Sequence, residues 1–121
     1  MSEHWQAGNA VDAGRDTRGW LLGHFIDPSQ GPRSTDALEV KWANHPAGDK
    51  RAQWTEDEQR TTLVILISGR FTVELEGQTV ALVQQGDYVT WGPGIDHSWH
   101  AEEESVVLTV RWPSLPGHAV T

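Results

Sequence analysis

The side chains of this 121-residue chain that can move protons or grip a ligand are few, and no cysteine is among them. Without a thiol there is no disulfide, no thiolate nucleophile and no Cys-based zinc or iron–sulfur site. An imidazole titrates near neutrality and a carboxylate beside it can hold its tautomer, which makes His97 with Glu56 or Glu58 the candidate catalytic group. The run Glu56-Asp57-Glu58 reads equally well as a solvated loop, and Glu102-Glu103-Glu104 as a surface turn. Seven tryptophans are the second unusual resource. Each offers a large apolar face and one N–H donor, suited to a core, an interface or an aromatic-lined pocket.

Strands must position these groups, because no segment carries a helical period. Residues 1–19 are polar and glycine-bearing, an arm with no core of its own. Trp20 to Ile26 is a short apolar run closed by the turn-like Asp27-Pro28-Ser29-Gln30-Gly31-Pro32. From Glu39 to Asn44 the chain alternates, with Val40, Trp42 and Asn44 on one face and Lys41, Ala43 and His45 on the other. Thr61 to Ser68 is the most hydrophobic stretch. Gly69-Arg70 turns it into Phe71 to Leu75, and Glu76-Gly77 turns that into Thr79 to Val83. Tyr88 to Trp91 and Ser105 to Trp112 are further strands, and residues 114–121 form a tail.

Short strands at such intervals, punctuated by Gly and Pro, indicate an all-β fold: one antiparallel β-barrel or jelly roll over residues 20–113. Within it, Thr62, Val64 and Leu66 point one way and Leu63, Ile65 and Ile67 the other, so both faces of that strand need cover. The Trp20 to Ile26 strand, in the same chain or across a two-fold homodimer, is the expected source of a second layer.

Bulk composition narrows the partners. Nine basic against seventeen acidic side chains, net −8, repel phosphate backbones and anionic head groups, so neither nucleic acid nor a membrane surface is expected. The longest uninterrupted apolar run, residues 63–67, is far short of a bilayer span, and the first residues lack a signal-peptide pattern. A soluble protein of the cytoplasm is the expectation, with a small organic molecule as partner.

The segment Gly86-Asp87-Tyr88-Val89-Thr90-Trp91-Gly92-Pro93-Gly94-Ile95-Asp96-His97 resembles the second motif of the cupin superfamily, in which glycines turn a strand back into the barrel and a histidine faces the cavity. Gly86, Gly94 and His97 fall in place. The motif's proline is here Gly92, with Pro93 beside it, and its closing asparagine is Ala101. The first cupin motif keeps its end glycines as Gly48 and Gly69, but Trp54 and Glu56 stand where two histidines belong and Thr62 where a glutamate belongs. The resemblance spans roughly residues 38 to 112.

Cupin metal sites, as that resemblance implies them, use three imidazoles and a carboxylate for a divalent transition metal. This chain retains His97 as its one matching metal ligand. Glu56 or Glu58 and a recruited His45 would bring the set to two or three mixed ligands, so no tightly held metal is expected and the sequence specifies no cofactor. His100, three residues beyond His97 in extended chain, should face the other way. Trp54 at a ligand position either plugs the cavity or makes it a stacking surface. Trp99 shares a face with His97, and Trp42 and Trp91 are further candidate walls. Lys41 and Arg111 interrupt apolar strands. They are placed either to meet an anionic group or as edge residues with their charges in water. The expected ligand site is thus Trp54, Trp99, Trp42, His45, Thr62 and Arg111 around His97. The expected function is a cupin-like binding barrel, with an isomerase, cyclase or lyase using His97, or a metal enzyme with a non-standard His/Glu site, as alternatives.

Overall fold

The computed structural model describes residues 4–55 and 58–116, so the Glu56 and Asp57 expectations and residues 117–121 of the tail lie outside the described residues. Eight strands run in order β1 (Trp20–Leu22), β2 (Glu39–His45), β3 (Thr61–Ser68), β4 (Phe71–Leu75), β5 (Gln78–Leu82), β6 (Tyr88–Trp91), β7 (His97–Ala101) and β8 (Ser105–Trp112). They form two antiparallel sheets, β1-β2-β8-β3-β6 and β5-β4-β7. Among the described residues no strand ladder joins the two sheets, so the molecule is a double-sheet jelly roll and not a closed barrel.

Burial alternates along much of the large sheet. Val64, Leu66, Val89, Trp91 and Val107 are buried, while Leu63, Ile65, Val106, Leu108 and Val110 between them are half-buried. The buried set packs against Phe71, Val73, Leu82 and Ala101 of the small sheet to make the core. Within the chain, the N-terminal strand does not form the expected second layer. β1 is cut to three residues and pairs edge-on with β2 in the same sheet. Gly23 ends it, pairing instead with Ser34, and Trp20 turns inward to complete burial. The arm before it holds one helical turn, α1 (Ala10–Ala13), capped by the Asn9 side chain. No helix among the described residues is long and apolar enough to cross a membrane.

β7 is the strand missed in the sequence. His97-Ser98-Trp99-His100-Ala101 lacks β-branched residues and reads as polar, yet it pairs with β4 along its length. Its free edge is covered by the chain before β3: Gly48 and Arg51 donate to Ala101 and Trp99 carbonyls (2.8 and 3.0 Å), and Thr55 donates to that of His97 (3.0 Å). Pairing with neighbours on both sides overrides weak local propensity.

Candidate functional site

Register on the inner face of the large sheet sorts its side chains into rows. Glu39, Arg111, Thr62 and Trp91 lie side by side across β2, β8, β3 and β6. The next row is Lys41, Thr109, Val64 and Val89, and the one after it Ala43, Val107 and Leu66. One end of the interior is therefore charged and the other apolar. Between this face and the small sheet lies a cavity of about 700 Å³, lined by Lys41, Arg51, Thr55, Glu58, Thr62, Trp91, His97, Trp99 and Arg111 among others.

The charged end is a buried ion cluster. Glu39, wholly buried, accepts from Arg60 Nη1 (2.7 Å) and Arg111 Nε (2.8 Å) through Oε1 and from the Ser114 hydroxyl (2.8 Å) through Oε2. Arg60 grips Glu58 at both carboxylate oxygens, each at 2.6 Å. Arg111 therefore lies inside the protein, its guanidinium 4.0 Å from the Trp20 ring centroid. Of the two placements open to Arg111 and Lys41, both take the inward one and line the cavity, because the strand faces that hold them point inward. Burial and the neighbouring Arg60 pull the Arg111 pKa down to about 10. For Glu58, burial pushes upward but the Arg60 hydrogen bonds win and hold the carboxyl at about 2. Both Glu58 oxygens accept from Arg60, which commits this carboxylate to the ion cluster.

His97 enters the cavity from the first position of β7. The turn ahead of it uses Gly94 at φ +83°, and the Gly94 amide donates to the Glu58 carbonyl at 2.7 Å. His97 Nδ1 lies 2.9 Å from Thr55 Oγ1 and 3.3 Å from the Ile95 carbonyl. A carbonyl only accepts, so this pair fits the Nδ1–H tautomer and leaves Nε2 as a lone-pair base. Burial holds the ring's pKa below its ordinary value. Among the described residues, then, the group that orients His97 is the Thr55 hydroxyl and not a carboxylate. Thr55 was missed because counting from Gly48 singled out its neighbours Trp54 and Glu56.

His45 also faces the cavity, its Nδ1 2.8 Å from Asp49 Oδ2. Its ring is 4.3 Å from that of Trp99 and stacks on Phe71 at 5.3 Å. Phe71 and Trp99 stack on each other, also at 5.3 Å, giving a continuous aromatic wall. Trp91 adds a ring 4.5 Å from His97. Trp54 stands at the rim, 45% exposed, and does not plug the cavity. Trp42 is corrected: it falls on the opposite face of β2 from Lys41 and Ala43, outside the cavity lining. His100 points away from the cavity, 3.1 Å from Glu102.

These donors do not fit the metal that the fold would imply. Among the described residues no three His, Asp or Glu side chains are grouped to hold an ion. Thr62 occupies the glutamate position, Glu58 is taken by Arg60, and His45 is wedged among rings and Asp49.

The pKa shifts make acid sensitivity predictable. Folded His97 and His45 both sit below 6.5, chiefly through burial, so the unfolded chain takes up those protons first and stability declines as pH falls through and below that value. Glu58, depressed from 4.5 to about 2, contributes fully above 4.5 and loses its contribution as pH falls toward 2. Urea midpoints measured from pH 7 to 3 should fall through both windows, with the loss below pH 4.5 flattened in Glu58→Gln. A midpoint constant over that range would contradict the assignment.

No protein-family model matches the sequence, and no curated protein matches it. Solved structures do. KdgF from Halomonas sp. is 25% identical, with a TM-score of 0.59 over 65% of this chain and 72% of its own. An RmlC-like cupin from Shewanella frigidimarina aligns at a TM-score of 0.60 with 16% identity, over 67% of this chain and 70% of its own. A cupin superfamily protein from Desulfitobacterium hafniense aligns at 0.57 with 16% identity, over 63% and 67%. Two facing antiparallel sheets with a site between them place the chain among the all-β jelly rolls. Within that class its fold is that of the RmlC-like cupins.

Proposed function

We propose that this cupin-fold chain binds a small organic molecule between its sheets, against the wall formed by Phe71, Trp99 and Trp91 and beneath Trp54 at the rim. The observation that carries the reading is the cavity itself. About 700 Å³ is bounded by aromatic rings on one side and a few fixed polar groups on the other, the composition of small-molecule sites in general. A stacking ligand suits parallel rings that already contact one another.

Thermal-shift screening of matched anionic and neutral ring compounds tests this. Several should raise the melting temperature of the wild type, and Trp99→Ala should abolish the shift. Because Trp99 also packs against the core, Trp54→Ala is the companion variant. Its ring is largely exposed, so folding should be unaffected while binding weakens severalfold. A screen in which no ring compound shifts the wild type would overturn the reading.

A second reading is favoured by one observation, the Nε2 of a half-buried, cavity-lining His97, left without a partner among the described residues while Thr55 and Ile95 set its tautomer. In this reading the imidazole abstracts and returns a proton in an isomerase, cyclase or lyase step on the bound molecule. His97→Gln would then keep binding but lose turnover. Full turnover in that variant would exclude the role.

A further inference from the structure

Among the described residues the ion cluster leaves Lys41 without a carboxylate. Glu39 is shared by Arg60 and Arg111, Glu58 is held by Arg60, and Asp49 is bonded to His45. Every carboxylate near Lys41 among the described residues is therefore engaged elsewhere. The Lys41 ammonium lies 5.5 Å from the Trp20 ring centroid and lines the cavity. Arg111 of β8, Arg51 of the segment beside β7 and Arg18 of the arm all add positive potential there. Only Asp49 opposes them, and burial together with these cations draws the amine's pKa down to about 8.

We infer that the cavity is built for an organic carboxylate, whose anionic group meets Lys41 while its apolar part lies against the rings. This rests on the cavity being a small-molecule site and specifies its ligand. The donor sets the class. An ammonium can only donate, so the ligand must bring an acceptor there, and the excess positive potential requires that acceptor to be charged. The rings supply the surface for its apolar part. In a chain of net charge −8, an inward-facing cation without a carboxylate partner is the opposite of what the surface presents.

Ligand-observed NMR titration with mandelate, its neutral isostere mandelamide and inorganic phosphate tests the assignment on the full chain. Mandelate should bind at least about tenfold more tightly than the amide or phosphate, the size of one charged hydrogen bond. Lys41→Met should erase that preference, whereas Lys41→Arg should retain much of it. Removing a half-buried charge that has no carboxylate partner among the described residues should leave the melting temperature of Lys41→Met no lower than wild type, and the acid-to-amide comparison in the wild type stands whatever that variant does. If acid and amide bind equally in the wild type and both are lost in Trp54→Ala, the carboxylate assignment fails and the small-molecule site survives. Tighter binding of phosphate than of mandelate likewise overturns the carboxylate. If none of the three binds, the inference is overturned, and the thermal-shift screen above decides the site itself.

Discussion

Glu39→Gln is expected to destabilise the fold by about 3–5 kcal/mol, the usual cost of removing one partner from a buried ion cluster. For a chain of this length that is a fall of roughly 10–20 °C in melting temperature. The reason is arithmetic within the site. Glu39 is wholly buried and accepts from two guanidiniums and a serine hydroxyl. Without its charge, Arg60 and Arg111 share only a neutral amide oxygen, Arg111 loses its nearest counter-ion, and the Ser114 hydroxyl must reverse its bond to accept from the new amide N–H. A Glu39→Gln/Arg111→Met double variant, which removes the stranded charge as well, should recover a substantial part of the loss. Urea denaturation at pH 7 measures both. A single variant within about 1 kcal/mol of wild type would mean that the cluster is screened by water and not dry.

Trp20→Ala should cost a similar amount, about 3–5 kcal/mol. The residue is wholly buried although β1 is an edge strand of three residues. Its ring meets Phe25 edge-on at 5.8 Å and lies beneath the Arg111 guanidinium. Deleting it opens a void beside the ion cluster and exposes one face of a buried cation. Trp20→Phe separates the two contributions of the side chain. The indole Nε1 is buried with no hydrogen-bond partner among the described residues, so losing it forfeits no bond and the phenyl ring keeps much of the packing. That variant should lose less than about 2 kcal/mol, with the urea midpoint shifting and the slope unchanged. Equal damage from the two substitutions would show that the indole's full size, and not its aromatic face, is what the site needs.

Which parts of this molecule were legible in the amino-acid order follows from the range of the interactions involved. Strand identity was largely local: the bounds of β3, β4, β6 and β8 coincide with the alternating runs, because period-two burial and Gly or Pro punctuation are written within each segment. The Gly86 to His97 turn was legible for the same reason, since a positive φ at Gly86 and Gly94 is a demand on single residues. β7 was not, because His, Ser and Trp become a strand only when β4 and the Gly48–Thr55 segment supply partners. Trp42 was misplaced although its alternation with Lys41 was plain, because which face of β2 looks inward depends on the opposite sheet. The partners of His97, Glu58 and Arg111 were beyond reach altogether. Thr55 is 42 residues from His97 and reaches it by covering the edge of β7, and Glu39 is 72 from Arg111 and meets it through the β2–β8 register.

The sequence by itself therefore determined an all-β jelly roll, a turn delivering one histidine to the interior, and the loss of the residues that would make that interior a standard metal centre. Tertiary structure decided what replaced them. It decided between the two placements open to Lys41 and Arg111 by putting both at the cavity, locked Glu58 to Arg60, and set an aromatic wall of His45, Phe71 and Trp99 opposite them. A side chain's type is local information. Its burial and its counter-charge are properties of the neighbours that packing gives it.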